Sequence, residues 1–84
     1  MDTKYDWSKV PSEVKYIATD ADGYGFGYFR KPELNKFKEG FGKNRDVANF
    51  MISPKKNPFV DYSNGWNWKD SLEKRPELKE PSHG

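Results

Sequence analysis

Apolar and polar positions alternate with a period of two in two stretches of the chain and recur at helical spacing in one. Residues 13–19, Glu-Val-Lys-Tyr-Ile-Ala-Thr, set Val14, Tyr16 and Ala18 against Lys15, Ile17 and Thr19. Their β-branched and aromatic content predicts a first strand. Asp20-Ala21-Asp22-Gly23 follows, and Asp-Gly readily supplies the positive φ that a tight hairpin return demands. The returning run Tyr24 to Arg30 puts Tyr24, Phe26 and Tyr28 on one strand face and Gly25, Gly27 and Phe29 on the other. One face is a ladder of rings; the other is nearly bare, and glycine inside a strand marks a bulge or the close approach of another group.

Residues 31–40 carry Pro32 near a helix start, Glu33 in the first turn, Leu34 and Phe37 three apart, and a terminal Gly40. This spacing predicts a two-turn helix docked through Leu34 and Phe37. Residues 41–49 show no period and read as loop. Phe50-Met51-Ile52 reads as a brief strand, cut off by Pro54 and Pro58. Phe59 to Tyr62 and Trp66 to Lys69 flank Ser63-Asn64-Gly65, and Asn-Gly between alternating apolar residues predicts a second hairpin with Trp66 and Trp68 on one face. Asp70 or Ser71 can cap a short helical turn that brings Leu72 onto the sheet and ends at Pro76. An extended lead-in pinned by Trp7 precedes all of this. The expected architecture is a small α+β domain over residues 1–76, an antiparallel sheet of three to four strands built from two hairpins with one or two short helices, followed by a mobile tail at 77–84.

Composition changes this picture in one respect. Three Trp, five Tyr and six Phe stand against nine Ile, Leu and Val among 84 residues, so rings are expected to supply most of the core, with the surplus facing solvent or a partner. The chain has no cysteine and a single histidine, His83, which excludes disulfides, thiolate metal sites and internal imidazole catalysis. Apolar runs are short and the N-terminus lacks a signal-peptide core, so the chain reads as soluble and unprocessed, with no membrane partner.

Charge is uneven although the formal net charge is only +2. Residues 31–56 hold seven basic side chains, Lys31, Lys36, Lys38, Lys43, Arg45, Lys55 and Lys56, against the acidic Glu33, Glu39 and Asp46. With the rings of Tyr24, Phe26 and Tyr28 beside Arg30, these make the candidate binding residues Tyr24, Phe26, Tyr28, Arg30, Lys31, Lys43, Arg45, Lys55 and Lys56. The competing reading is a solvated lysine-rich connection and rings packed in the core. Asp20-x-Asp22-Gly23 has the wrong register for a calcium loop, because the fourth position is Gly23 and the twelfth is Lys31. Gly23-x-Gly25-x-Gly27 lacks a phosphate-loop continuation. No carboxylate pair is assignable to acid–base work, so no enzyme, metal or cofactor is expected.

Asp6-Trp7-Ser8-Lys9-Val10-Pro11, Tyr16-Ile17-Ala18-Thr19-Asp20-x-Asp22-Gly23, Lys31-Pro32 and residues 68–76, Trp-Lys-Asp-Ser-Leu-Glu-Lys-Arg-Pro, together resemble small uncharacterised proteins of tailed bacteriophages. That resemblance implies a phage protein in the bacterial cytoplasm that binds a host or phage protein partner. It brings no catalytic residues. Sequence therefore favours a non-enzymatic protein-binding protein, with single-stranded nucleic-acid binding through Tyr24 to Arg30 and the basic middle segment as the alternative.

Overall fold

The structure is a computed structural model and describes residues 3–35, 37, 39–42, 47–61, 63 and 65–76. The expected tail at 77–84 lies outside the described residues, as do Lys43 and Arg45. Strand β1 (Tyr16–Thr19) and strand β2 (Gly25–Tyr28) form the predicted first hairpin, pairing Tyr16 with Tyr28 and Thr19 with Gly25. The Asp20 N–H donates to the Tyr24 carbonyl and the Gly23 N–H to the Asp20 carbonyl, both at 2.9 Å, with Gly23 at φ 95°. That is a three-residue loop closed by a left-handed glycine, the conformation Asp-Gly favours.

Two more strands flank this hairpin. Strand β5 (Val47–Ile52) pairs with β2, and strand β6 (Glu73–Lys74) with β1, giving an antiparallel order β5-β2-β1-β6. The pairing of β5 shifts between Phe26, opposite Met51, and Tyr28, opposite Val47, so β5 bulges there. Strand β3 (Leu34–Asn35) and strand β4 (Gly40–Phe41) make a separate two-stranded ribbon.

Both faces of the sheet are covered. On the face carrying Ile17, the N-terminal segment supplies buried Tyr5, Val10 and Val14, joined by Ala48 and edged by Trp7, Phe50, Ile52 and Phe59. Here the bare face of β2 finds its reason, because a Cβ at Gly27 would stand 2.8 Å from Val14 Cγ1 and 3.1 Å from Phe50 Cδ2. On the opposite face, the β3–β4 ribbon lies over Tyr28, whose hydroxyl donates to the Phe41 carbonyl at 3.1 Å. Gly42, at φ 77°, permits that approach, since its Cβ would fall 2.6 Å from the Tyr28 ring. Phe41 in turn meets Trp68 edge to face at 5.6 Å.

Five expectations need correction. The helix over 31–40 is absent; the segment is the β3–β4 ribbon, with Leu34 exposed and Phe37 fully exposed, so the two residues meant to dock a helix touch no core. Its Gly42 N–H donates to the Glu33 carbonyl at 2.8 Å, and the Asn35 side chain captures the Phe37 N–H. A two-turn helix without a buried face cannot compete with such pairing. The second hairpin is also absent: no strand occurs among the described residues of 57–70. Asn57, Asp61 and Asn67 instead accept from backbone N–H groups two residues on, which diverts the chain into local turns. Gly65 does take the predicted positive φ, 68°. The capped turn near Asp70 comes earlier than expected, as a 3-10 turn at Trp68–Asp70 capped by Asn67, and Glu73 and Lys74 become strand. Finally, all helical turns among the described residues are 3-10, so the α+β expectation reduces to small antiparallel sheets with short turns. The ring-dominated core also gives way to a mixed one. Tyr5 and Tyr28 are the only rings fully buried among the described residues; Val10, Val14, Ile17 and Ala48 supply the rest of the centre.

Candidate functional site

Chain positions far apart meet at the end of the sheet remote from the Asp20 turn. The Lys15 N–H donates to the Tyr28 carbonyl at 2.9 Å, and the Lys15 carbonyl accepts from the Arg75 N–H at 2.7 Å. Lys15 is thereby tied between the strand leading into Phe29-Arg30-Lys31 and the strand carrying Lys74-Arg75. Around this junction lies an open groove of about 760 Å³, lined by the cations of Lys15, Arg30, Lys31, Lys74 and Arg75 and by the rings of Tyr16 and Phe29. Among the described residues no carboxylate lines it, and none of the five cations forms an ion pair.

Such an arrangement works against folding. Like charges on neighbouring strands destabilise a sheet, and Lys15 and Arg75 are bonded to each other through their backbones. Arg75 is also held in place: its Nε donates to the Val14 carbonyl at 2.7 Å, one Nη to the Val10 and Pro11 carbonyls at 3.1 and 2.6 Å, and its guanidinium lies 5.0 Å from the Trp7 ring. Carbonyl oxygens satisfy its donors without cancelling its charge. Phe29 stands in this field with 48 % of its surface exposed, an apolar ring that the core does not use.

Of the residues singled out in the sequence, the groove brings together Arg30 and Lys31. Tyr24 is exposed at the opposite end of β2, beside the hairpin turn, and Phe26 is half-buried. Tyr28 is 1 % exposed beneath the β3–β4 ribbon and cannot serve as a contact surface, which corrects its assignment. Burial there pushes its phenol well above the usual tyrosine range, with the Asp20 carboxylate adding to the effect. Lys55 and Lys56 are exposed on a 3-10 turn, Pro54–Lys56, outside the groove. The sequence reading missed Lys15, Tyr16, Phe29, Lys74 and Arg75. No local signal marks them, because the pairing of β1 with β6 joins residues nearly sixty positions apart.

The Asp20 end of the sheet holds a different device. The Asp20 carboxylate accepts from the Phe41 N–H at 3.0 Å, and the Ala21 N–H donates to the Glu39 carbonyl at 2.9 Å, which clasps the β3–β4 ribbon onto the first hairpin. Partial burial raises the Asp20 pKa from 3.8 to about 6; the Phe41 bond opposes this and Asp22 reinforces it. A carboxyl whose pKa is higher folded than unfolded stabilises the fold below its unfolded pKa and loses that contribution as pH rises through the folded value. Wild-type stability is therefore expected to fall between about pH 4 and pH 6 on account of this group. Asp20→Asn keeps an acceptor for Phe41 and should be more stable than wild type above pH 6, by about 1 kcal/mol after solvent screening, with the difference vanishing near pH 4. Urea midpoints across that range check it.

Among the described residues, no three His, Cys, Asp or Glu side chains gather into a metal-binding group, and no helix is long and apolar enough to cross a membrane. Compared with protein-family models, curated proteins and solved structures, the chain matches none.

Proposed function

We propose that the protein is a non-enzymatic binding protein that holds single-stranded nucleic acid in the basic groove. One observation carries this reading: five cations and, among the described residues, no carboxylate surround two rings, one of them half exposed. Bases stack on exposed rings while lysine and arginine track phosphates. The same composition fits a protein partner poorly, because protein interfaces are depleted in lysine at their centre. A net charge of +2 is no obstacle when the excess is gathered in one place. The resemblance to phage proteins supplies the setting, an infected bacterial cytoplasm.

Fluorescence anisotropy of labelled oligothymidylate at a series of salt concentrations tests the reading. Affinity is expected to fall with salt, with a log–log slope of about −0.7 for each phosphate neutralised. Reversing two exposed groove charges together, Lys31→Glu and Lys74→Glu, should weaken binding more than about tenfold and flatten the slope by about 1.4. Absence of binding at low salt overturns the proposal. A host or phage protein partner is the second reading, favoured by the fully exposed Phe37 on the β3–β4 ribbon, an apolar side chain with no folding role. A tagged copy that retains one protein in fixed proportion from nuclease-treated bacterial lysate, without binding oligonucleotide, would carry that reading instead.

A further inference from the structure

The basic groove does not stand alone. Beyond Arg75 and Pro76, which belong to both, lies a second cavity of about 440 Å³ lined by Trp7, Val10 and the hydroxyl-bearing Thr3, Ser8 and Ser12. It too has no carboxylate among the described residues of its lining. Resting on the nucleic-acid reading above, we infer that the two cavities form one continuous track for a single strand, with one base against Phe29, a second against Trp7, and the Arg75 cation between them.

Three features prepare this second half for a ligand. The Trp7 ring is fixed in orientation, because its Nε1 donates to Glu73 Oε1 at 2.7 Å. Glu73 also accepts from the Lys4 N–H at 2.9 Å, and it lines neither cavity. Arg75 is immobilised by three backbone carbonyls, and its charge at the junction needs no rearrangement to meet a phosphate. A contact group ordered before binding loses less entropy on binding. The exposed Ser12 hydroxyl suits phosphate or sugar oxygens, which draw most of the hydrogen bonds in nucleic-acid interfaces, while the Ser8 hydroxyl already donates to Asp6 Oδ1. From β2 across β1 to β6 the groove covers two interstrand spacings, about 10 Å, and the Trp7 ring lies 5.0 Å from the Arg75 guanidinium that the two cavities share. The track is therefore longer than one nucleotide and carries a ring near each end.

A length ladder of oligothymidylates, from dinucleotide to octanucleotide, distinguishes one cavity from two. Wild-type affinity should rise in two steps, the second worth about tenfold, the value of one base on a ring. Ser12→Glu places a carboxylate at an exposed position in the second cavity. It should erase the second step and leave the shortest ligands unaffected, which also certifies that the variant is folded. Phe29→Ala should weaken every length. An octanucleotide abasic at the residues occupying the second cavity should bind wild type as Ser12→Glu binds the intact one. Equal affinities of wild type and Ser12→Glu at all lengths overturn the continuous track while leaving groove binding in place. Failure of wild type to bind any length overturns the nucleic-acid reading and the track with it.

Discussion

Gly27→Ala is expected to cost about 3 kcal/mol, enough to leave a domain of this size class, worth about 3–5 kcal/mol in total, at the edge of unfolding. The added methyl would stand 2.8 Å and 3.1 Å from the two Val14 methyls and 3.1 Å from Phe50. Gly27 lies on an inner strand, paired on one side to β1 and on the other to β5, so the backbone cannot retreat without breaking a ladder. Val14 cannot move away either, being 1 % exposed within the core. The relief must come from Val14 itself: the double variant Gly27→Ala with Val14→Ala should recover part of the loss, giving a favourable coupling in a double-mutant cycle. Urea unfolding of the four proteins checks this, and independent, additive effects would show that the close approach is not what glycine provides here.

Tyr5→Phe is expected to lower stability by about 2 kcal/mol although it removes one oxygen. Its hydroxyl sits in a buried knot of polar groups. It lies 2.8 Å from Thr19 Oγ1 and donates to the Ser71 carbonyl at 2.8 Å. The Thr19 N–H donates to Ser71 Oγ, which donates to the Thr19 carbonyl. Asn57 donates to Thr19 Oγ1 and to the Gly23 carbonyl. The knot thus joins the N-terminal segment, β1, the first hairpin turn, the segment after β5 and the approach to β6. Burial pushes the Tyr5 phenol up to about 12, so the hydroxyl keeps its proton across the working range of pH. Removing it leaves the Ser71 carbonyl without that donor in a site with no exposure, and such orphaned groups cost more than the bond itself returns. Tyr24→Phe, at an exposed ring, should leave the unfolding midpoint unchanged.

What was legible in the sequence was local. The first hairpin is visible in Asp22-Gly23 and in the alternation of 14–19 because both reflect backbone preferences of a few neighbouring residues. Gly25 and Gly27 announced a close approach, and the structure names the approaching groups as Val14, Phe50 and Asn57. The same local reasoning misplaced the helix at 31–40 and the hairpin at Asn64-Gly65. In both, weak propensity was outbid by contacts at a distance: the ribbon is held by Asp20 and Tyr28, and Trp68 packs on Phe41 instead of standing in a strand. The candidate site shows the same division. Charge counting pointed to residues 31–56, of whose described residues Lys31 alone lines the groove, and Arg30 joins it from the ring strand; the other members arrive from Lys15, Tyr16, Phe29, Lys74 and Arg75.

The sequence by itself determined the absence of thiol chemistry, the first hairpin and the glycine-bared face of β2, since each follows from residue identity or from neighbours along the chain. Only the tertiary structure decided which rings are core and which are surface, and where the cations converge. That assignment depends on β6 pairing with β1 and on the ribbon covering Tyr28, contacts whose energy comes from burial between segments that no periodicity connects.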